Sequence, residues 1–242
     1  VKGKIIYKMV PLHPSVIILV GVVHVMNIAE AIKHLLDRYE PDAVALELDS
    51  ARLYALLHPE AVSDERGPLI ARLLARLERN IAGKYGTTVG GEMLTAYEEA
   101  LRRGIRVLLV DRPIGETLRR LRAVPLREKL KLYANLIAYP LLPGKKRTVG
   151  SMLGSVDTAL EEFRREFPGY HRVLVEERNA YIASRIADGE KYGTVMAFIG
   201  DAHIPGLKGL LPGAEVIRLS EVLKLRKGYN DMSKSGVCNE RD

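Results

Sequence analysis

The chain has 242 residues, 47% of them hydrophobic, which is enough for one substantial core and too apolar for a chain without one. Its formal net charge is +7, but Lys and Arg are interleaved with Asp and Glu, and aromatic residues make up only 6% with no Trp. Without a basic block or stacking platforms, nucleic acid is not an expected partner. Cys238 is the single cysteine and lies in a polar C-terminal tail, so a disulfide framework and a Cys-x-x-Cys site are excluded. A reducing, cytoplasmic setting is expected. The absence of Gln hints at a thermophilic source.

No apolar run reaches the roughly 18 residues of a transmembrane helix. Residues 2–8 and the apolar run after them imitate a signal peptide, but Pro11, His13 and Pro14 interrupt them, so two strands joined by a turn are predicted. A strand over 16–20 precedes a helix near 28–39, where Ile28, Ile32, Leu35, Leu36 and Tyr39 share one face and His34 falls opposite, toward solvent. Pro41 and Asp42 open a strand over 43–48, and residues 66–82 read as an amphipathic helix. Gly90-Gly91 introduces a helix over 91–103, Gly104 ends it, and a strand over 105–110 follows. Pro113 suits the first turn of a new helix. Residues 116–139 look helical with a break at Pro125, and a loop over 140–150 carries Lys145-Lys146-Arg147. Helices over 156–166 and 171–187 lead to strands over 194–199 and 215–219, after which residues 227–242 form a polar tail expected to be disordered. The alternation predicts an α/β fold: a mainly parallel central sheet flanked by helices, with a helical insertion or cap around residues 116–166, in a single domain over 1–226.

Two copies of Gly-x-x-His, Gly21–His24 and Gly200–His203, each close an apolar run. A His just beyond a buried strand sits where open α/β sheets place ligands, and two such residues meet if their strands are neighbours. Glu47 is the one polar residue in an otherwise apolar strand. It must be paired, metal-bound or at the solvent-open strand end, because an isolated buried carboxylate is costly. The plain alternative is a strand-end acid beside Asp49 that caps the next helix. Arg52 is a candidate cationic neighbour. In the 171–187 helix, Arg178 falls near the middle of a stripe formed by Leu174, Val175, Ile182 and Ile186, with Glu177 and Asn179 at its edges. A guanidinium there pairs with a buried carboxylate or an anionic ligand. Arg185 lies close to the stripe but near the helix end, where it can snorkel. Glu92 sits in a first helical turn, where the macrodipole favours an acid. Asp111 and Arg112 stand at a strand end. His13, His58 and His171 lack a supporting pattern and are expected at the surface.

Two imidazoles with one or two carboxylates suit a first-row divalent ion such as zinc, manganese, cobalt or iron, and the spacing does not choose among them. No nucleophile elbow, P-loop, dinucleotide fingerprint or His-Glu-x-x-His is present.

In order along the chain, these stretches are Gly-Val-Val-His (21–24), Pro-Asp-Ala-Val-Ala-Leu-Glu-Leu-Asp-x-x-Arg (41–52), Gly-Gly-Glu-Met (90–93), Asp-Arg-Pro-Ile (111–114), Glu-Arg-Asn-x-Tyr-Ile-Ala (177–183) and Gly-Asp-Ala-His-Ile-Pro-Gly (200–206). Together they resemble the TraB/PrgY pheromone-shutdown family, related to the Tiki metalloproteases and more distantly to erythromycin-esterase-like and ChaN-like proteins. The resemblance implies an α/β fold with these elements around one pocket, and a divalent ion (Mn, Co or Zn). Carried over, His24, His203 and Glu47 become metal ligands or acid/base groups. Arg52 and Arg178 would hold a substrate carboxylate or an oxyanion, and Glu177 or Glu47 would accept a proton. Glu92, Asp111, Arg112 and Asn179 complete the pocket as substrate-binding residues.

The leading expectation is a metal-dependent, peptidase-like hydrolase acting on a peptide or small amide-bearing substrate. The alternative is a non-catalytic protein that sequesters a peptide or cofactor, haem included, in the same pocket. The basic amphipathic stretch 126–137 with Lys145-Lys146-Arg147 suggests membrane-surface association, against which a helical cap with a solvated charged face is preferred. Exposed apolar faces in 116–166 point to a homodimer.

Overall fold

The computed structural model describes residues 16–23, 28–59, 90–138 and 156–225. The predicted strand over 2–8, the 66–82 helix, the 140–150 loop, the 227–242 tail, His13 and His24 lie outside them.

Five strands form one parallel sheet among the described residues: β1 (Ile17–Val22), β2 (Ala43–Leu46), β3 (Arg106–Leu109), β4 (Val195–Gly200) and β5 (Glu215–Ile217), in the order β3-β2-β4-β1-β5. β1, β2 and β4 are buried on both faces, which is why they read as unbroken apolar runs rather than alternating ones. The predicted 43–48 strand is regular only over Ala43–Leu46.

One face of the sheet carries α1 (Ala29–Tyr39) and α3 (Gly91–Arg102), and α2 (Ser50–Leu57) follows β2. Ile32, Leu35 and Leu36 of α1 and Met93, Ala96 and Ala100 of α3 pack on Ile18, Val20, Val44 and Leu46. His34 points away and is exposed, as its place on the helix wheel requires. A helical stretch over residues 219–225 adds Val222 to this side. The other face carries α8 (Glu177–Ala187) and α9 (Ile204–Leu210), whose Ile182, Ile186, Ile204 and Leu207 cover Ile17, Leu19, Ala43, Ala45 and Val195.

The chain therefore leaves β1 toward one face and β4, its neighbour, toward the other. Adjacent strands with helices on opposite faces open a crevice at their carboxyl ends. In register, Gly21 lies beside Ile199 and Val22 beside Gly200, so both Gly-x-x-His motifs begin at this edge.

Between β3 and α8 the chain forms α4 (Ile114–Leu121), α5 (Leu126–Ala138), α6 (Val156–Glu166) and α7 (Pro168–His171). This is the predicted helical insertion, broken at Pro125 as expected. It has a small core of its own, with Val124, Phe167, Tyr170 and Val173 backed by Leu121, Leu132, Phe163 and Leu174. α6 lies against the short turn Asp201–His203, so the insertion reaches the strand-end edge.

A π-helical turn, Arg172–Glu176, joins α7 to α8. It takes up one more residue per turn than an α-helix and rotates everything before it relative to the stripe after it. That explains one departure, and a second accompanies it. The 171–187 stripe does not run through Leu174 and Val175, which are only half-buried; Val173, Asn179, Ile182, Ala183 and Ile186 are the buried positions. His171 is buried instead of exposed, beside the Phe163 ring and 3.1 Å from Glu176.

Candidate functional site

Side chains alternate faces along a strand, so Glu47 follows Ala43 and Ala45 toward the α8 face. Its backbone N–H donates to Phe198 O of β4 at 3.2 Å, and Asp111 N–H donates to Leu48 O at 3.2 Å. These bonds continue the sheet past its strands and set Glu47, Asp111 and the end of β4 side by side.

Arg178 enters this space from the first turn of α8. Its Nη2 donates to Glu47 Oε1 at 2.7 Å and Asp111 Oδ2 at 2.6 Å, its Nε to Asp111 Oδ1 at 3.1 Å, and its Nη1 to Leu174 O at 3.3 Å. Burial works against a charged guanidinium here, but Glu47 and Asp111 outweigh it and hold the pKa above an arginine's ordinary value. Arg178 is therefore a permanent cation. Glu47 Oε2 accepts from Gly200 N–H at 2.6 Å, so the first residue of the second Gly-x-x-His motif fixes the carboxylate.

His203 stands beside this pair, buried, with Nε2 3.5 Å from Glu47 Oε1 and 3.3 Å from Arg178 Nη1. A guanidinium has only donors, so Nε2 accepts from it. Nδ1 then carries the proton and donates to Asn179 Oδ1 at 2.6 Å. One tautomer follows, with its lone pair toward Glu47 and Arg178. Gly206 makes the Asn179 contact fit, because a Cβ there would overlap the Asn179 amide nitrogen.

Arg52 lies outward of the cluster. Its Nη2 donates to Asp111 Oδ2 at 2.5 Å and its Nε is 3.4 Å from Asp49 Oδ2, with about a third of the side chain open to solvent. The predicted role beside Glu47 is thus taken by Arg178, and Arg52 joins through Asp111. The acid that caps α2 is Asp49 and not Glu47: its Oδ1 accepts from Arg52 N–H at 2.8 Å and its Oδ2 from Ile114 N–H at 2.7 Å.

Arg112 and Glu177 turn aside. The Arg112 side chain is fully buried, donating through Nε to Thr117 Oγ1 (3.1 Å), through Nη1 to Glu177 Oε2 (3.1 Å) and through Nη2 to Val173 O (2.8 Å) in the π turn. Arg120 Nη1 donates to the same Glu177 oxygen at 3.0 Å. Glu92 is buried in the first turn of α3, on the opposite side of the sheet from α8. The structure thus gathers Glu47, Arg52, Asp111, Arg178, Asn179 and His203 into one cluster, and sets Arg112 and Glu177 behind it.

Sequence reasoning passed over Asp201. Its Oδ1 accepts from Leu219 N–H at 3.0 Å and from Arg218 Nε at 3.0 Å, and its Oδ2 from Arg218 Nη2 at 2.8 Å. The carboxylate lies over Gly21, where a Cβ would overlap it. The first motif's glycine is thus the room needed by the second motif's aspartate. The signal was an Asp inside Gly-Asp-Ala-His, opposite a Gly in a neighbouring strand.

Two carboxylates (Glu47, Asp111) face two guanidiniums (Arg52, Arg178) in this cluster, and Asp49 adds a third carboxylate beside Arg52. Among these residues no group of three His, Cys, Asp or Glu is arranged to hold a metal ion, and His24 lies outside them.

The profile of the TraB/PrgY/gumN family matches residues 11–212. An uncharacterized protein of Methanocaldococcus jannaschii is 26% identical over 237 residues, covering 90% of this chain and 59% of its own length. TraB domain-containing proteins of Bos taurus and Mus musculus are 29% and 28% identical over 160 residues, covering 58% of this chain and 42% of theirs. The chain spans about half the length of the curated relatives it matches. Because the profile match runs from ahead of β1 to just past α9, this chain belongs to the TraB/PrgY/gumN family.

Proposed function

We propose that the strand-end cluster is the reaction site of a metal-dependent hydrolase acting on a peptide or another small amide-bearing substrate. The observation that carries this reading is the setting of His203: Asn179 holds Nδ1, and the unprotonated Nε2 faces Glu47 Oε1 at 3.5 Å. A histidine that ligates a metal or accepts a proton is held by its other nitrogen in this way.

The donor chemistry fits a Mn, Co or Zn ion held by His203 Nε2 and Glu47, with His24 as the third ligand. Arg178 stands against both donor atoms, and its grip on Asp111 through Nε and Nη2 keeps it paired if Glu47 and His203 turn to an ion. When bound, the ion would polarise a substrate carbonyl and make water more acidic.

The remaining roles fall to the chain itself. Glu47 is the better placed proton acceptor, since it lies beside His203 Nε2 while Glu177 is turned toward Arg112 and Arg120. Arg178 is placed to stabilise an oxyanion, and the partly open Arg52 to hold a substrate carboxylate. Asn179, Asp111 and Arg112 act as positioning residues, on His203, on the two arginines and on the π turn respectively.

The same Arg178 contact favours a second reading. A guanidinium that already satisfies Glu47 and His203 suits a pocket that binds a peptide or cofactor without metal. Elemental analysis of the purified protein and of a His24→Ala, His203→Ala double variant separates the two. Close to one ion per chain, lost in the variant, supports the hydrolase. No ion in either, after incubation with manganese, cobalt and zinc, leaves the binding reading.

A further inference from the structure

Besides the charged residues expected on the helical insertion, α5 presents an apolar stripe. Leu126, Leu130 and Tyr133, spaced one and two turns apart, are 68%, 60% and 41% exposed. The inward face is built from Leu132 and Glu128, the latter buried and accepting from Gly169 N–H at 2.9 Å. The only acid of residues 126–134 is thus withdrawn from the surface. Around the apolar stripe stand Arg122, Arg127 and Lys129, none of which makes an ion pair among the described residues; Lys129 donates only to Arg122 O. Lys131, next to Leu130, is paired with Glu166.

We propose that this face of α5 docks on an anionic lipid surface, with Leu126, Leu130 and Tyr133 entering the headgroup boundary and Arg122, Arg127 and Lys129 meeting the phosphates. The pattern of apolar residues at helical spacing with unpaired basic neighbours is that of an interfacial helix. Charge decides against a second copy. A two-fold contact sets the same patch against itself, and here that would bring two sets of Arg122, Arg127 and Lys129 into one interface with no exposed acid on the helix to meet them. Area decides against an ordinary protein partner, because three side chains on one convex helix fall well short of the ~800 Å² per side of a stable interface. Adsorption to a charged bilayer needs only shallow insertion and counter-charge. None of these residues touches the Glu47–Arg178–His203 cluster, so this inference stands or falls separately from the metal reading.

The test is co-sedimentation of the full chain with phosphatidylcholine vesicles, with and without one-third phosphatidylglycerol. Binding to the anionic vesicles is expected, weakened by salt and far lower on the neutral ones. Each basic residue near an anionic surface strengthens adsorption roughly fivefold, so an Arg122→Ser, Arg127→Ser, Lys129→Ser variant should bind about 100-fold more weakly. Leu130→Glu should abolish binding, and Leu130→Ser should reduce it, with thermal unfolding unchanged in both. No binding to anionic vesicles, equal binding to neutral ones, or binding unaffected by these variants overturns the proposal. So does a dimer, seen by light scattering, that Leu130→Glu dissociates.

Discussion

Two networks of arginine and carboxylate in this fold invite comparison. At the strand-end edge, Arg178, Asp111, Glu47 and Arg52 come from four elements up to 131 residues apart, and the carboxylates are almost fully buried. On the α1–α3 surface, Glu99 pairs with Arg102 and Arg103 one turn away, and Arg103 reaches Asp37. The chemistry is the same, but the stakes differ. In the α1–α3 network Glu99 is itself buried, but Arg102 and Asp37 are mostly open to water and Arg103 partly so, and losing a partner there leaves the other charges solvated. In the buried cluster each charge is tolerated only because its partner is present.

Removing Arg178 is the strongest way to break that contrast. Arg178→Met leaves Glu47 and Asp111 buried with less counter-charge, and a loss of about 3–5 kcal/mol is expected. For a chain of this length that is a fall in Tm of roughly 10 °C. Differential scanning calorimetry reads it directly. An unchanged or raised Tm would mean the cluster is an ordinary ion pair that a hydrophobic residue replaces at no loss.

A second comparison sits within α9, three residues apart. At Gly206 a Cβ would overlap the Asn179 amide, while at Gly209 it would meet open space. Gly206→Ala should therefore cost about 1–3 kcal/mol by overpacking and loosen the Asn179–His203 bond. Gly209→Ala should be neutral or stabilise by about 0.4–1 kcal/mol, since it removes freedom from the unfolded chain. Urea denaturation of both variants checks the opposite signs. If both destabilise equally, the space beside Asn179 is not what requires Gly206.

How much of this was legible in the sequence depends on the length scale of each feature. Strands β1, β2 and β4 and helices α1, α3, α5 and α6 follow from local periodicity, which the tertiary structure did not overrule. Glu47 and Arg178 were legible as misfits, a carboxylate in an apolar strand and a cation in an apolar stripe. Their mutual contact was not, because no local rule says which β-strand lies beside which helix. The π turn was invisible to an argument that assumes 100° per residue, and the misplacement of Leu174 and Val175 follows from that single inserted residue; His171 was set at the surface only for want of a pattern. Asp201 over Gly21 needed the β1–β4 pairing, which only the crossover topology supplies. Arg112 was assigned to the pocket because Asp111 was, yet neighbours at a strand end point to different sides.

The smallest expected effect sharpens the comparison through pH. Burial pushes the Glu99 carboxyl up, but hydrogen bonds from Arg103 and Arg102 outweigh it and leave its pKa below the ordinary 4.5. A carboxylate with a lowered native pKa adds stability that is fully present above its unfolded pKa and is lost as pH falls through the native one. Arg178, with a raised pKa, runs the other way, and its contribution would fade only as pH climbs past an arginine's ordinary range. Below that, no titration of Arg178 should appear. Glu99→Gln should then lower stability at neutral pH by about 1 kcal/mol or less, and it should flatten the decline on the acid side of 4.5. Urea midpoints for wild type and variant, taken from neutral pH into the carboxylate range, read both effects. A variant whose midpoints fall as steeply with acid as the wild type's would place that acid sensitivity outside the Glu99 network and overturn its assignment to this carboxylate.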